Sequence, residues 1–104
     1  YGFSHYFDCL NAYIQVEGKD VLCGTVLYIP VCQHDSLIIE FLAVEPAYQN
    51  KGIGKALITQ LEEVYKARGY KIVYLQATQS SRDFYQKLGY RCTSSNHYEK
   101  NLIT

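Results

Sequence analysis

Residues 40–67, EFLAVEPAYQNKGIGKALITQLEEVYKA, predict a strand, a glycine-containing loop and a helix in direct succession. Residues 37–44 are an apolar run of strand length, and Pro46 ends it because proline has no N–H group to donate to a neighbouring strand. From Ile53 onward, apolar residues recur at steps of three and four, the spacing of a helix with one buried face. Gly69 stands where a left-handed residue commonly ends such a helix.

The loop between this strand and helix has the chemistry of an anion site. The N–H groups of a first helical turn have no acceptor inside the helix, and the helix dipole adds partial positive charge there. Gly52 and Gly54 lack β-carbons, so a phosphate can approach the backbone closely, and Lys51 and Lys55 add positive charge. Glycines at such a turn also serve packing alone, so the glycines by themselves do not distinguish the two roles.

The spacing of the loop adds a family resemblance. Residues 49–54, QNKGIG, resemble the acetyl-CoA loop of the GNAT superfamily of N-acetyltransferases, whose pattern is Gln or Arg, two residues, Gly, one residue, then Gly or Ala. Residues 41–48, FLAVEPAY, resemble that family's fourth strand and its exit. Residues 84–90, FYQKLGY, resemble its second signature segment. The similarity extends over roughly residues 12–102 and implies acetyl-CoA as cosubstrate.

The order of predicted elements indicates a mixed α/β (α+β) domain. A strand, a helix and another strand in succession predict a right-handed crossover and one parallel pair within a mostly antiparallel sheet. A short helix follows the start signal Ser80–Asp83. The resemblance implies that the central parallel pair splays apart below the loop. Strands are predicted at residues 12–16, 21–29, 37–44, 71–77, 90–93 and 97–102.

The resemblance also assigns cofactor-binding residues. The pantetheine arm would lie in the split between the strands and pair with backbone, much like an added strand. Amides of the loop would hold the pyrophosphate. Ser80 and Ser81 stand where many relatives have an asparagine that contacts the cofactor, and helix capping is the preferred interpretation for them. The implied cofactor residues are Leu42, Ala43 and Val44 in the strand and Gln49, Asn50, Lys51, Gly52, Ile53, Gly54 and Lys55 in the loop and helix start.

Two residues are catalytic candidates. By the resemblance, Tyr85 is the general acid that protonates the departing thiolate; the alternative is an aromatic residue that only packs on a helix. Glu40 is a candidate general base or amine-binding carboxylate, because the two-residue period predicts that it shares a strand face with Leu42 and Val44. An exposed or ion-paired glutamate, with a water chain as base, remains the alternative. Gln76 on the next strand cannot accept the proton.

The composition of the chain limits the classes of protein and of partner that remain. With 104 residues and zero net charge, the chain predicts one globular domain over residues 1–104 with no general attraction to nucleic acid or anionic membrane. We expect neither as a partner, and no apolar run reaches the roughly 20 residues of a membrane span. The cysteines, which lack zinc or C-x-x-C spacing, predict reduced thiols in a cytoplasmic protein and no metal; they are Cys9, Cys23, Cys32 and Cys92.

The resemblance implies one or two helices before the second strand, and only residues 1–11 could represent them. We therefore expect residues 1–11 to be the end of a truncated helix. Two functions stay open: an N-acetyltransferase acting on a small-molecule or peptide amine in a ternary complex, and a non-catalytic module that binds acyl-CoA or a partner. The carboxy-terminal strand offers an edge for a homodimer, which the sequence does not decide.

Overall fold

The computed structural model describes residues 2–5 and 8–103, without the side chains of residues 4 and 5. Within these ranges one sheet has the strand order β1-β2-β3-β4-β5-β7-β6. Its strands are β1 (Gly2–His5), β2 (Cys9–Val16), β3 (Lys19–Val31), β4 (Ser36–Val44), β5 (Ile72–Gln76), β6 (Arg91–Ser94) and β7 (His97–Asn101). Helices α1 (Ile53–Ala67) and α2 (Arg82–Lys87) complete the fold, with single 3-10 turns at Cys32–His34 and Pro46–Tyr48.

The predicted helix at residues 1–11 is wrong for the part that the structure describes. Strand β1 pairs antiparallel with β2, from Gly2 opposite Tyr13 to His5 opposite Leu10. Strand β2 starts at Cys9, three residues before the predicted start at Ala12. Buried Leu10 and Ala12 alternate with partly exposed neighbours, the two-residue period of a strand. Residues 1, 6 and 7 of the predicted helix lie outside the described residues.

The strands predicted at residues 12–16 and 21–29 form a hairpin, and the turn between them is shorter than the four-residue gap between the predicted strands. Glu17 and Gly18 have φ angles of 52° and 78°, and Val16 pairs directly with Lys19. Positive φ at both central residues is the signature of the type I′ turn, which matches the twist of the flanking strands. Strand β3 therefore begins at Lys19, and only two residues form the turn.

The parallel pair and its divergence are confirmed. Strands β4 and β5 pair in parallel from Ser36 opposite Ile72 to Ile39 opposite Leu75. Strand β4 then continues to Val44 while its pairing with β5 stops. The other strand pairs are antiparallel. The observed fold is thus the predicted mixed α/β sheet with a splayed central pair.

Helix α1 packs closely on the sheet at Gly24 of β3. A β-carbon built at Gly24 would lie 3.0 Å from Leu57 Cδ1, 3.1 Å from Ile53 Cγ2 and 3.2 Å from the Ala43 carbonyl oxygen. Only glycine lets the helix approach this closely. The buried side of the helix consists of Ile53, Leu57, Ile58, Leu61 and Tyr65.

Helix α1 ends as predicted. Gly69 has a φ of 89° and donates its N–H to the Lys66 carbonyl at 3.0 Å, and Tyr70 donates to the Tyr65 carbonyl at 2.9 Å. These two bonds form a Schellman motif, which satisfies the last carbonyl groups of the helix. At 15 residues, α1 is the longer of the two described helices, and neither is long and apolar enough to cross a membrane.

Candidate active site

The loop before α1 opens into a cavity of about 900 Å³. The cavity lies between the start of α1 and the face of α2 that carries Phe84. Its lining includes eight of the residues that the sequence assigned to the cofactor: Leu42, Val44, Gln49, Asn50, Gly52, Ile53, Gly54 and Lys55. The other lining residues are Tyr48, Ser80, Ser81, Phe84, Lys87 and Leu88. We call this space the larger cavity.

Local backbone geometry shapes the loop. The Gln49 side chain donates from Nε2 to the Val44 carbonyl at 3.2 Å and ties the loop to the end of β4. Asn50 and Gly52 have φ angles of 63° and 80°, so the chain reverses through two left-handed residues before α1 begins. No acidic side chain lies in the first turn of α1. The first-turn N–H groups and the helix dipole therefore make this end of the cavity electropositive.

A second cavity of about 260 Å³ lies where β4 and β5 diverge. Glu40 and Tyr85, the two catalytic candidates, both line it although they are 45 positions apart in the chain. We call it the smaller cavity. Leu42, Ser81 and Phe84 line both cavities, so the two spaces meet at these three residues. The remaining lining residues of the smaller cavity are Ile39, Phe41, Leu75, Gln76 and Thr78.

Glu40 lies in a β-bulge and lines the smaller cavity. The predicted strand face of Glu40 is therefore wrong. Tyr28 pairs with Ile39, but the next residue back on β3, Leu27, pairs with Phe41. Glu40 is therefore an extra residue without a partner in β3. Because the bulge shifts the register, Leu42 follows Ile39 on the α1 side of the sheet, and Glu40 does not share a face with Leu42 and Val44. The side chain of Glu40 is exposed.

Tyr85 lies on α2 and is only 7% exposed. Its ring makes edge-to-face contacts with Phe84 at 5.0 Å and with Tyr90 at 5.7 Å between centroids. Burial raises the pKa of the Tyr85 hydroxyl above its usual value near 10. The side chain is thus a protonated phenol at neutral pH. Tyr85 both packs in the core and lines the smaller cavity, so the two interpretations of this residue are compatible.

The comparisons with known proteins agree with this geometry. Residues 3–90 match the family model described as "Acetyltransferase (GNAT) family". This chain belongs to the GNAT family. Over 53 residues it is 43% identical to glucosamine 6-phosphate N-acetyltransferase of Trypanosoma brucei brucei, an alignment that covers 51% of this chain and 36% of that relative. The chain spans about a third to a half of the length of the curated relatives it matches.

Solved structures share the fold of this GNAT chain. A candidate N-acetyltransferase from Lactobacillus plantarum superposes with a TM-score of 0.79 at 22% identity, over 91% of this chain and 68% of that protein. An aminoglycoside 6′-N-acetyltransferase complexed with coenzyme A superposes with a TM-score of 0.76 at 19% identity, over 94% of this chain and 75% of that protein. At these identities the likeness establishes the fold.

Two of the predicted cofactor residues of this GNAT chain do not line the larger cavity. Ala43 pairs with Thr25 of β3, and its side chain projects from the sheet face away from α1. The Glu45 N–H donates to the Cys23 carbonyl, and in this register the N–H and C=O of Ala43 also point toward β3 and away from the open edge of β4. Lys51 is exposed beside the cavity. The roles assigned to both residues stay predictions.

Sequence reasoning missed four side chains of the larger cavity: Tyr48, Phe84, Lys87 and Leu88. Phe84, Lys87 and Leu88 are spaced i, i+3 and i+4 on α2 and share one helix face. That spacing was visible in the sequence. What the sequence did not reveal is which face of α2 points toward the start of α1.

The predicted capping role of Ser80 and Ser81 is wrong. Ser81 occupies the N-cap position of α2 but makes no side-chain cap bond. Its hydroxyl accepts a hydrogen bond from the Thr78 N–H at 3.0 Å and donates to the Thr78 carbonyl at 3.2 Å. Ser80 Oγ lies 3.1 Å from Thr78 Oγ1. These local bonds compete with capping and hold the turn that leads from β5 into α2.

Glu62 of α1 is a charged residue with only 12% of its side chain exposed. Glu62 Oε2 accepts a hydrogen bond from the Tyr90 hydroxyl at 2.7 Å, and Oε1 accepts one from Lys100 Nζ at 3.0 Å. Lys100 also donates to the Leu88 carbonyl at 2.8 Å, at the end of α2. This partly buried network fixes α2, and therefore Tyr85, relative to α1. Glu63, the next residue of α1, is exposed.

The four cysteines are free thiols. Cys23 is buried and donates to the Ala12 carbonyl at 3.3 Å, and burial raises the pKa of its thiol. Cys32 and Cys92 are exposed. In the described part of the chain, no three His, Cys, Asp or Glu side chains are grouped as metal ligands would be.

Proposed function

We propose that this chain is an acetyl-CoA-dependent N-acetyltransferase that moves an acetyl group to a primary amine of a small molecule or peptide. The observation that carries the proposal is the meeting of the two cavities. The larger cavity has the electropositive helix start that suits a diphosphate. The smaller cavity contains Glu40 and Tyr85, an acceptor and a donor of protons.

The free edge of β4 supports binding of the pantetheine arm. Along residues 42–44, β4 pairs with β3 on one side only, from Val26 opposite Leu42 to Gly24 opposite Val44. Pairing with β5 has already ended at Ile39. Neighbouring residues of a strand point their N–H and C=O groups to opposite edges, so Leu42 and Val44 offer theirs on this edge, while those of Ala43 face β3. The Val44 carbonyl already accepts from Gln49 Nε2, and the other groups can pair with an extended amide-containing ligand, as an added strand would.

The cofactor would span both cavities. The Gln49 N–H already donates to the Pro46 carbonyl at 3.4 Å, so the diphosphate of the cofactor would take amides from the rest of the loop up to Gly54, with Lys55 nearby. The pantetheine arm would run along β4 toward Leu42. The thioester then arrives at the meeting of the cavities, beside the bulge at Glu40. A backbone N–H near the end of β4 would polarise the thioester carbonyl.

The transfer proceeds by direct attack in a ternary complex. The neutral amine nitrogen attacks the carbonyl carbon, which forms the C–N bond, and the C–S bond then breaks with its electron pair on sulfur. Tyr85 gives its hydroxyl proton to the thiolate, and it regains a proton from solvent afterwards. The surplus proton of the amine passes to Glu40 or to a water molecule. Alignment of the two reactants in adjoining cavities supplies the remaining acceleration.

Two measurements test this function in sequence. Isothermal titration calorimetry with acetyl-CoA and with desulfo-CoA measures binding, and we expect both to bind with a Kd below millimolar. A thiol-release assay over an amine panel then measures turnover. The panel should include glucosamine 6-phosphate, an aminoglycoside, a polyamine and a lysine peptide, because the similarity to relatives does not select among them. Absence of binding at millimolar ligand would reject the proposal.

The alternative is a non-catalytic acyl-CoA-binding module. It predicts the same calorimetry but no thiol release with any amine in the panel. The shared position of Glu40 and Tyr85 in one cavity favours the enzyme. A binder has no need of a buried proton donor beside the thioester.

A further inference from the structure

The smaller cavity passes through the sheet, because its lining residues come from both faces. Ile39 is buried on the α1 side, where its partner Tyr28 contacts Tyr65 of α1 at 5.4 Å between ring centroids. Phe41 and Gln76 line the same cavity and are exposed on the opposite face. We call that opposite face the outer face. The cavity is therefore reached from the outer face as well as from the larger cavity.

The outer end of the smaller cavity combines a carboxylate with exposed apolar side chains. Glu40 and Phe41 both stand opposite Leu27, as two residues of a bulge oppose one residue of the partner strand. Ile29, two residues along β3, lies on the same face as Leu27. The exposed fractions are 54% for Phe41, 42% for Leu27 and 43% for Ile29. We call these three residues the apolar strip, and Glu40 adjoins it.

Positive and negative charges are separated across the sheet. Lys55 and Lys87 line the larger cavity, on the α1 side. On the outer face, Arg91 of β6 is three strands away from β4, and its guanidinium lies 2.6 Å from Glu99 Oε1. The row of outer-face residues next to Leu27 and Phe41 is uncharged and consists of Asn11, Thr25 and Ala43. A ligand on the outer face beside Phe41 therefore meets the carboxylate of Glu40 and uncharged side chains.

We propose that the acceptor is an amine joined to an apolar or aromatic group, without a phosphate or other anionic group, and that Phe41 determines this specificity. This inference rests on the proposed function and names the substrate class of the same site. The thioester reaches the cavity from the α1 side, so the amine enters from the outer face. Its nitrogen lies beside Glu40, and its apolar part covers Phe41 and Leu27.

The continuity of the apolar strip with the smaller cavity favours this ligand over other occupants of the outer face. Phe41 belongs both to the strip and to the lining of the cavity that contains Glu40 and Tyr85. An aromatic ring laid on Phe41 removes apolar surface of both partners from water, and aromatic pairs are stabilised further by their edge and face charges.

The same surroundings disfavour an anionic acceptor. A phosphate on the strip would lose hydration without gaining a cation, and the carboxylate of Glu40 would repel it. Cations on the α1 side and a carboxylate on the outer side attract the anionic donor and the cationic acceptor to opposite sides of the sheet.

Three amines that share an aminoethyl group test the proposal: phenylethylamine, ethanolamine and phosphoethanolamine. Thiol release at saturating acetyl-CoA measures kcat/KM for each amine. We expect phenylethylamine to exceed ethanolamine by roughly tenfold or more, and phosphoethanolamine to be the poorest. Titration of each amine into the CoA-saturated chain, followed by NMR, measures its Kd without turnover and should give the same order.

Phe41→Ala removes most of the exposed ring surface. The ratio of kcat/KM for phenylethylamine to that for ethanolamine should fall roughly tenfold, and the ratio of the two Kd values should change equally. Because each ratio comes from one preparation, a loss of folded protein does not alter it. Phe41→Leu, which preserves more apolar surface, should give a smaller change in the same direction and serves if Phe41→Ala does not fold.

Leu22→Ala is the matched control. Leu22 is 46% exposed and pairs with Tyr13, five residues along β3 from Leu27, and it lines neither cavity. Its truncation removes a similar exposed apolar side chain from the same sheet and should leave both ratios unaltered. An equal fall in Leu22→Ala would overturn the assignment of Phe41.

The outcomes separate this inference from the function on which it rests. If acetyl-CoA binds but ethanolamine or phosphoethanolamine is preferred, or if both Phe41 variants keep the wild-type ratios, only the inference is overturned. A dimer in light scattering that dissociates in Phe41→Ala would also overturn it, because a second copy would then occupy the strip. If acetyl-CoA does not bind, the proposed function fails, and the inference fails with it.

Discussion

At the residue scale, Tyr85 combines a buried ring with access to the smaller cavity. Tyr85→Phe keeps the contacts with Phe84 and Tyr90 and removes only the proton donor. We expect kcat to fall by about 10²- to 10⁴-fold, the usual contribution of a general acid, while the Kd for acetyl-CoA stays the same. Steady-state thiol release and calorimetry measure the two quantities.

The control for Tyr85 is Tyr74→Phe, because Tyr74 is an exposed tyrosine of β5 that lines neither cavity. Its kcat should equal that of the wild-type chain. An unchanged kcat in Tyr85→Phe would remove Tyr85 from the chemical step and leave it a packing residue.

A second prediction at the residue scale concerns Glu40. Glu40→Gln keeps the shape of the side chain but can neither accept a proton nor pair with an ammonium group. If Glu40 is the general base, kcat should fall by about 10²-fold or more. If it only binds the amine, the KM for the amine should rise while kcat stays the same. Steady-state kinetics over amine concentration distinguish these results, and no change in either constant would contradict both roles.

At the scale of elements, the close packing of α1 on β3 depends on Gly24. A methyl group there meets Leu57, Ile53 and the backbone oxygen of Ala43 at 3.0–3.2 Å, and the backbone cannot yield as a side-chain end can. Gly24→Ala should lower the free energy of unfolding by roughly 1–3 kcal/mol, as overpacking does. It should also weaken acetyl-CoA binding because it displaces the start of α1. Urea unfolding and calorimetry check the two effects.

Gly2→Ala is the matched control for Gly24. Gly2 also lies in a strand, but a β-carbon there would have no heavy atom within 4 Å. Its free energy of unfolding should stay close to that of the wild-type chain. If Gly24→Ala were as stable as this control, α1 could move away from β3 without a loss in the free energy of unfolding, and the prediction would be wrong.

At the scale of the whole molecule, buried tyrosines make stability depend on alkaline pH. Burial is the first cause that raises the pKa values of Tyr28, Tyr85 and Tyr90 in the folded state. The unfolded chain then releases these protons first, near the ordinary pKa of about 10. The contribution of these tyrosines to the free energy of unfolding is therefore complete below about pH 10. It is lost as pH rises toward their folded-state pKa values.

Above about pH 10, each such tyrosine should lower the free energy of unfolding by roughly 1.4 kcal/mol per pH unit. Tyr90→Phe should remove one of these contributions and flatten the pH dependence, although it loses the hydrogen bond to Glu62 at all pH values. Urea unfolding between pH 8 and pH 11 measures the slope. The same substitution at the exposed Tyr74 is the control, and an equal flattening in both variants would contradict the assignment.

The sequence by itself determined the strand, glycine loop and helix of residues 37–67, because periodicity, proline and glycine act on the backbone locally. It also determined the parallel pair, since a strand, a helix and another strand have few ways to connect. Only the tertiary structure decided the face of Glu40, because the bulge arises from pairing with β3. It likewise decided that Glu62 is bound by Tyr90 and Lys100, residues 28 and 38 positions away. Contacts between segments that are distant in the sequence leave no periodic signal in the chain. The two cavities meet where such segments come together, at Leu42 of β4 and Phe84 of α2.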